Sequence, residues 1–301
     1  MTAAENLRGV ALMSGAMALF AAEDMFLKFA AADLPTGQIL LLPALFAFAV
    51  FVALVRREGR RWLTVQALHP WVLARNLGEM VGTLAYITAL ASVPLATVSA
   101  VLQAMPLAVT LGAALFLGEA VGWRRWSAIC TGFAGVLLVI RPGMEGFAPS
   151  SLWVLITVAG LALRDLASRR IPADISNNQV AAWGILSVAV LGAAMLPFQD
   201  PALPDLWQWG MLLGAATVGT AGYWAITAAT RTGEVSVVSP FRYSRLIFAI
   251  LIGTFIFGEA LSAPTLIGAA LIIGSGLYAF ARQRARARAA AKALSSAPNP
   301  G

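Results

Sequence analysis

The sequence has one cysteine, one histidine and few charges. A lone Cys130 excludes an intramolecular disulfide and any cysteine-based metal centre. The lone His69 stands beside Pro70 at the edge of an apolar run, where it reads as structural. No HExxH, GxSxG or phosphate-loop motif occurs, so no catalytic residue, metal ligand or cofactor is expected, and nothing in the chain would harness nucleotide hydrolysis. Charged residues make up 12% of the 301, against about 25% in soluble domains. That scarcity excludes an ordinary soluble domain. The net charge of +7 would suit nucleic acid only if the cations formed a patch, and instead they flank apolar runs, so no nucleic-acid partner is expected. A cleavable leader is not expected either: MTAAENLRG carries little positive charge, and the first apolar run outlasts a signal peptide.

What remains is hydrophobic: 59% of residues are apolar, and the mean hydropathy is +0.80. Runs near the ~20 residues that cross a hydrocarbon core fall at 9–31, 38–55, 70–91, 95–117, 123–140, 151–170, 179–197, 207–228, 236–257 and 263–281. They predict an all-α integral membrane protein with ten transmembrane helices. If the N-terminus is cytoplasmic, fifteen cations fall in inside segments and only Arg141 falls outside. The other five, Lys28, Arg75, Arg164, Arg242 and Arg245, lie within spans. Such a bias predicts a bacterial-type inner (plasma) membrane protein with both termini cytoplasmic. Residues 282–301 read as a basic cytoplasmic tail, loose at its end, with arginines near anionic headgroups.

The chain matches itself. At a shift of 140, Leu117-Gly118-Glu119-Ala120 lies over Phe257-Gly258-Glu259-Ala260, and Val98-Ser99 over Val238-Ser239. At a shift of 141, Asp24, Lys28, Asp33 and Gln38 lie over Asp165, Arg169, Asp174 and Gln179. The predicted units are 1–145 and 146–281, each of five helices. An odd number per unit sends the second into the membrane from the opposite side, giving two inverted repeats around a central cavity. Gly78 with Gly82, and Gly210 with Gly214, form small-xxx-small faces expected to bring helices close.

The stretch 236–259, SVVSPFRYSRLIFAILIGTFIFGE, is long enough to span yet holds two arginines. At ~1.5 Å per residue, Arg242 and Arg245 lie roughly 9 and 14 Å in from Ser236. An arginine near the bilayer centre costs about 2.5–3.5 kcal/mol, so both must face a polar cavity. Neither has an acid within reach on its own helix, so Asp165, Glu79, Asp24 or an anionic substrate group must answer them. Asp24 with Lys28, and Arg75 with Glu79, stand four apart and can neutralise each other locally. Candidate substrate-binding and cavity residues are Glu23, Asp24, Glu79, Tyr86, Gln103, Asp165, Tyr223, Trp224, Arg242, Tyr243 and Arg245. Candidate gating residues are Lys28, Arg75, Arg164, Glu119 and Glu259. Pro106 and Pro240 lie inside spans, where freed carbonyls mark either a kink or a cavity wall.

Ten short helices in two repeats, the paired LGEA and FGEA endings, and GWRRWSAICTGFAGVLLVIRPG after the first carry a resemblance. The chain resembles the drug/metabolite transporter superfamily, specifically its EamA-type ten-helix exporters, over nearly its whole length. That resemblance implies cytoplasmic termini, a central cavity and cargo such as amino acids, cofactors or drugs. The second repeat carries PFRYSR, with Leu246 where the first has Pro106, and so resembles branches carrying S-adenosylmethionine or riboflavin. The expectation is a secondary transporter using alternating access to export amino acids, aromatic and others, and related metabolites. The alternatives are an uptake or exchange carrier for a cofactor-like metabolite, a channel, or a membrane-embedded enzyme. Expected partners are a small-molecule substrate and the lipid bilayer, with the protein monomeric or homodimeric.

Overall fold

The computed structural model describes residues 2–119, 121–143 and 147–295. Ala120 of the LGEA ending, the 145/146 boundary between the expected repeats and the tail end 296–301 lie outside the described residues. The rest is helical, with no strand among the described residues. The α-helices are α1 (Ala3–Asp33), α2 (Thr36–Arg57), α3 (Pro70–Ser92), α4 (Leu95–Leu102), α5 (Met105–Phe116), α6 (Trp123–Ile140), α7 (Leu152–Ser168), α8 (Asn177–Met195), α9 (Leu206–Thr232), α10 (Val235–Val238), α11 (Ser244–Phe255) and α12 (Ala263–Ser295). Among the described residues, seven stretches are long and apolar enough to cross a membrane, one of them Leu95–Phe116, which joins α4 and α5.

Local chemistry sets the starts. Capping boxes at Thr2/Glu5, Ser176/Gln179 and Asp205/Gln208 satisfy the first amides of α1, α8 and α9. His69 caps α3, its Nδ1 accepting from the Trp71 amide at 3.3 Å, which is the structural role its position suggests. Pro94 separates α3 from α4. The expected fourth and ninth spans are both interrupted. One breaks at Gln103–Ala104, just before Pro106, and the other gives way to a 3-10 segment, Ser239–Tyr243, around Pro240. In each case proline removes an amide donor, so the α-ladder cannot run through. Tail residues 282–295 extend α12 as helix, consistent with their alanine- and arginine-rich composition.

Helices pack in crosswise pairs: α1 on α9, α3 on α7, α2 on α8, α6 on α12 and α4 on α11. Asn6, Glu234 and Arg284 meet at one end, the proximal end, where the Asn6 side chain accepts from the Glu234 amide at 2.8 Å and Arg284 lies 3.8 Å from Glu234. Loops join across each end by related bonds. At the distal end Gln38 donates to the Ala202 carbonyl (2.6 Å), while at the proximal end Gln179 donates to the Arg61 carbonyl (2.8 Å). Adding 141 to Gln38 and Arg61 gives Gln179 and Ala202. Likewise the Gln199 side chain accepts from the Gly37 amide (2.9 Å), and Glu58 accepts from the Asn178 side chain (2.5 Å). Residues 37 and 58 become 178 and 199 under the same shift.

The α3–α7 crossing is close because it lacks side chains. A Cβ on Gly78 would lie 2.6 Å from the Arg164 amide nitrogen and the Gly160 carbonyl oxygen. Backbone cannot yield as a side chain can, so Gly78→Ala should lower the thermal midpoint by the equivalent of about 1–3 kcal/mol; an unchanged midpoint in detergent would show that the crossing is slack. The second glycine pair behaves differently from expectation. Gly214 packs on the Phe26 ring, but nothing lies within 4 Å of a Cβ on Gly210, so the backbone contact made at Gly78 of α3 is not repeated at this glycine pair of α9.

Candidate functional site

Three clusters of polar groups run through the bundle interior. In the middle cluster, α1 presents Asp24, 1% exposed, to Arg245 at the start of α11. Arg245 donates through Nη2 to both carboxylate oxygens (2.7 and 2.8 Å) and through Nε to Oδ2 (3.2 Å). Tyr86 on α3 also donates to Asp24, and Arg245 donates to the Tyr86 hydroxyl at 3.1 Å. Phe20, one turn back on α1, lies under the guanidinium at 5.6 Å. Glu23 adjoins Asp24 and lies over Gly219 of α9, where a Cβ would come within 2.5 Å of its carboxylate.

The local Asp24–Lys28 pair expected from spacing does not form. Asp24 is taken by the fork of Arg245, which offers several donors in fixed geometry, and Lys28 goes elsewhere. Its Nζ lies 2.8 Å from Glu259 and donates to the Val93 carbonyl at 2.7 Å. Glu259 in turn accepts from the Leu95 amide at 2.8–2.9 Å, so it caps α4 and not its own helix. Phe257 sits under Lys28 at 5.3 Å and packs against Phe29, which meets Trp207 edge-on. This distal cluster is sealed, with side chains of Lys28 and Glu259 only 16% and 12% exposed.

The proximal cluster is more open. The spacing-based pair Arg75–Glu79 forms at 2.7 Å, and Arg164 bridges Glu79 (3.3 Å) and Asp165 (2.9 Å). Gly184 of α8 makes room for Arg75, since a Cβ there would fall 1.4 Å from Nη1. Asp165 is 41% exposed. Tyr223, equally exposed, stands edge-on to Phe51 at 5.3 Å. Arg242 is exposed, in the 3-10 segment Ser239–Tyr243. Nearer the proximal rim, Arg169 reaches Glu119 at 3.2 Å, with both side chains 49% exposed.

Gln103 and Tyr243, also expected at the cavity, mark where the two broken spans touch. The Gln103 side chain donates to the Tyr243 carbonyl at 3.1 Å, and the two positions are 140 apart. The Tyr243 hydroxyl end rests on Gly276 of α12. Trp224 is largely exposed and joins none of the three clusters. Residues not singled out from the sequence include Phe20 and Gly184, and Phe257 was noted only as part of the FGEA repeat match. An aromatic residue one helical turn from an intramembrane acid was the available signal for Phe20; Gly184 had none, because its partner Arg75 is more than a hundred residues away.

Known proteins place this architecture. The chain is 27% identical to a riboflavin transporter of Vibrio cholerae over 277 residues, covering 89% of this chain and 91% of the relative. It is 24% identical to an S-adenosylmethionine uptake transporter of Rickettsia bellii (85% and 88% covered) and 28% identical to a pseudopaline exporter of Pseudomonas aeruginosa (88% and 93%). A solved crystal structure shares the fold with a TM-score of 0.57 at 23% identity, covering 90% of this chain and 96% of that one. The model of the EamA-like transporter family matches residues 7–141 and 148–280. The chain is therefore a multi-pass membrane transporter that belongs to the EamA-like transporter family.

Proposed function

We propose a secondary transporter that works by alternating access in a bacterial inner membrane, with both termini cytoplasmic, exporting amino acids or related small metabolites. In this reading α4 with α5, and α10 with α11, are broken single spans, giving ten. Residues 1–145 and 146–281 are inverted repeats, and 282–301 is a cytoplasmic tail. The observation that carries it is one pair of ion pairs. Lys28–Glu259 at the distal end and Arg169–Glu119 at the proximal end become each other under the 140–141 shift. The distal pair is buried and tight, and the proximal pair is exposed and longer. Equivalent contacts in unequal states are what two gates require when one closes as the other opens. The helix pairing supports the same reading, because exchanging the five-span units converts the α1–α9 contact into α7–α3 and maps α2–α8, α4–α11 and α6–α12 onto themselves.

The direction of transport has a second reading, uptake or exchange of a cofactor-like metabolite, favoured by the relatives described as a riboflavin transporter and an S-adenosylmethionine uptake transporter. Counterflow in vesicles tests the class. Proteoliposomes loaded with an unlabelled mixture of amino acids, S-adenosylmethionine and riboflavin should accumulate at least one labelled member transiently and saturably. Flux that rises linearly with concentration would mean a channel; chemically altered cargo would mean an enzyme.

A further inference from the structure

A cleft of about 390 Å³ opens at the proximal end between the start of α1 and the end of α9, lined by Ala4, Glu5, Arg8, Arg231 and Thr232. None of these residues belongs to the three interior clusters. Backbone contact fixes the walls. A Cβ on Gly9 would lie 2.9 Å from the Gly233 Cα, and one on Gly233 would lie 3.3 Å from the Gly9 Cα. The Asn6 side chain holds the Glu234 amide at 2.8 Å beside that contact. Arg8 precedes Gly9 and Thr232 precedes Gly233, so the touching glycines carry both side chains into one opening.

The polar groups there are unspent. Arg8 and Arg231 are exposed, and among the described residues neither has a carboxylate at ion-pair distance or a hydrogen-bond acceptor. Thr217, Thr220, Thr227 and Thr230 of α9 each donate to a carbonyl three or four residues back. The Thr232 hydroxyl has no such bond among the described residues. Glu5 is the acid in the wall, and its Oε2 already accepts from the Thr2 amide at 2.7 Å as part of the α1 cap. Two free guanidiniums beside one engaged carboxylate attract an anion. Leu7, next to Arg8, is 71% exposed. A soluble anion would leave that leucine in water, whereas a lipid covers it with an acyl chain while its headgroup meets the arginines.

We propose that this cleft is a binding site for an anionic phospholipid. Arg8 and Arg231 take the phosphodiester oxygens through paired donors, the Thr232 hydroxyl donates a further bond, and an acyl chain covers Leu7. A choline headgroup fits worse, because the two guanidiniums repel its ammonium. Since Arg8 is on α1 and Arg231 on α9, the bound lipid ties those helices together at the proximal end.

Thermal midpoints of the purified full chain test this, in detergent micelles doped with phosphatidylglycerol or phosphatidylcholine, or supplemented with inorganic phosphate. Phosphatidylglycerol should raise the midpoint saturably, and phosphatidylcholine should not. Arg8→Gln/Arg231→Gln should need about tenfold more phosphatidylglycerol, the loss of charge-assisted hydrogen bonds. Its lipid-free midpoint should stay put, because neither arginine holds an internal ion pair. Arg8→Lys/Arg231→Lys keeps the charge without the paired donors, so it should fall between, and it serves in place of the glutamine variant if that fails to fold. Arg56→Gln/Arg57→Gln removes the same charge from exposed positions at the end of α2 and should respond as the wild type does. An equal loss in that control would mean diffuse attraction to a charged surface. Stabilisation by inorganic phosphate that the glutamine variant loses would mean a soluble ligand. Either result overturns the lipid site, as does an equal response to phosphatidylcholine, a lysine variant that matches the wild type, or no response to phosphatidylglycerol.

Discussion

Arg245→Met should be the most damaging substitution in the interior, costing about 3–5 kcal/mol of stability and abolishing counterflow. It strands Asp24, which is 1% exposed and would keep, among the described residues, only the Tyr86 hydroxyl as a hydrogen-bond partner. The cost comes from the uncompensated charge more than from the lost attraction, so the double variant Asp24→Leu/Arg245→Met should be more stable than Arg245→Met alone. Thermal midpoints of the four proteins in one detergent close that cycle. Arg245→Lys should fall between, since an ammonium keeps the charge but cannot reproduce the fork on both oxygens. If Arg245→Met melts with the wild type, Asp24 finds another cation and the middle cluster is not a lock.

Glu259→Gln should release the distal end, the second large effect. It removes the counter-charge of Lys28 and weakens the cap on the Leu95 amide in one step. The pair is mostly buried, so water does little to screen its loss. The related change Glu119→Gln should do far less. Both members of the Arg169–Glu119 pair are half exposed, and exposed pairs are worth about 0–1 kcal/mol. In a background with Cys130→Ser, a cysteine placed at Ala32 should become more reactive to an impermeant thiol reagent in Glu259→Gln, and one at Ala173 less so. Equal reactivity in the parent and in Glu259→Gln would mean that Lys28–Glu259 holds nothing shut.

Much of this was legible in the sequence, and the reasons are specific. Polar residues in an apolar chain are costly, so the coincidences at 140–141 survive as contacts: Gln38 and Gln179 make equivalent bonds, as do Glu259 and Glu119. Pro106 and Pro240 located the two breaks because a missing amide donor is a local fact. Partner choice was not legible. Spacing of four joined Arg75 to Glu79 correctly but suggested Lys28 for Asp24, because spacing says which groups share a face and not what stands opposite. The room left by Gly184 for Arg75, and the missing contact at Gly210, likewise depend on which helix crosses there. The tail's helical continuation was local in origin, but its basic charge drew attention before its alanines did.

Alternating access, as proposed, requires the two ends to open in opposition. Spin labels at 32 and 263 report the distal end, and labels at 173 and 123 report its repeat-related counterpart, all four positions being exposed. Pulsed electron-electron distance measurement on both pairs, with Glu259 intact and with Glu259→Gln, compares the ends directly. The distal distance should lengthen while the proximal one shortens; both lengthening together, or the distal pair moving with the proximal pair fixed, would rule out opposed opening.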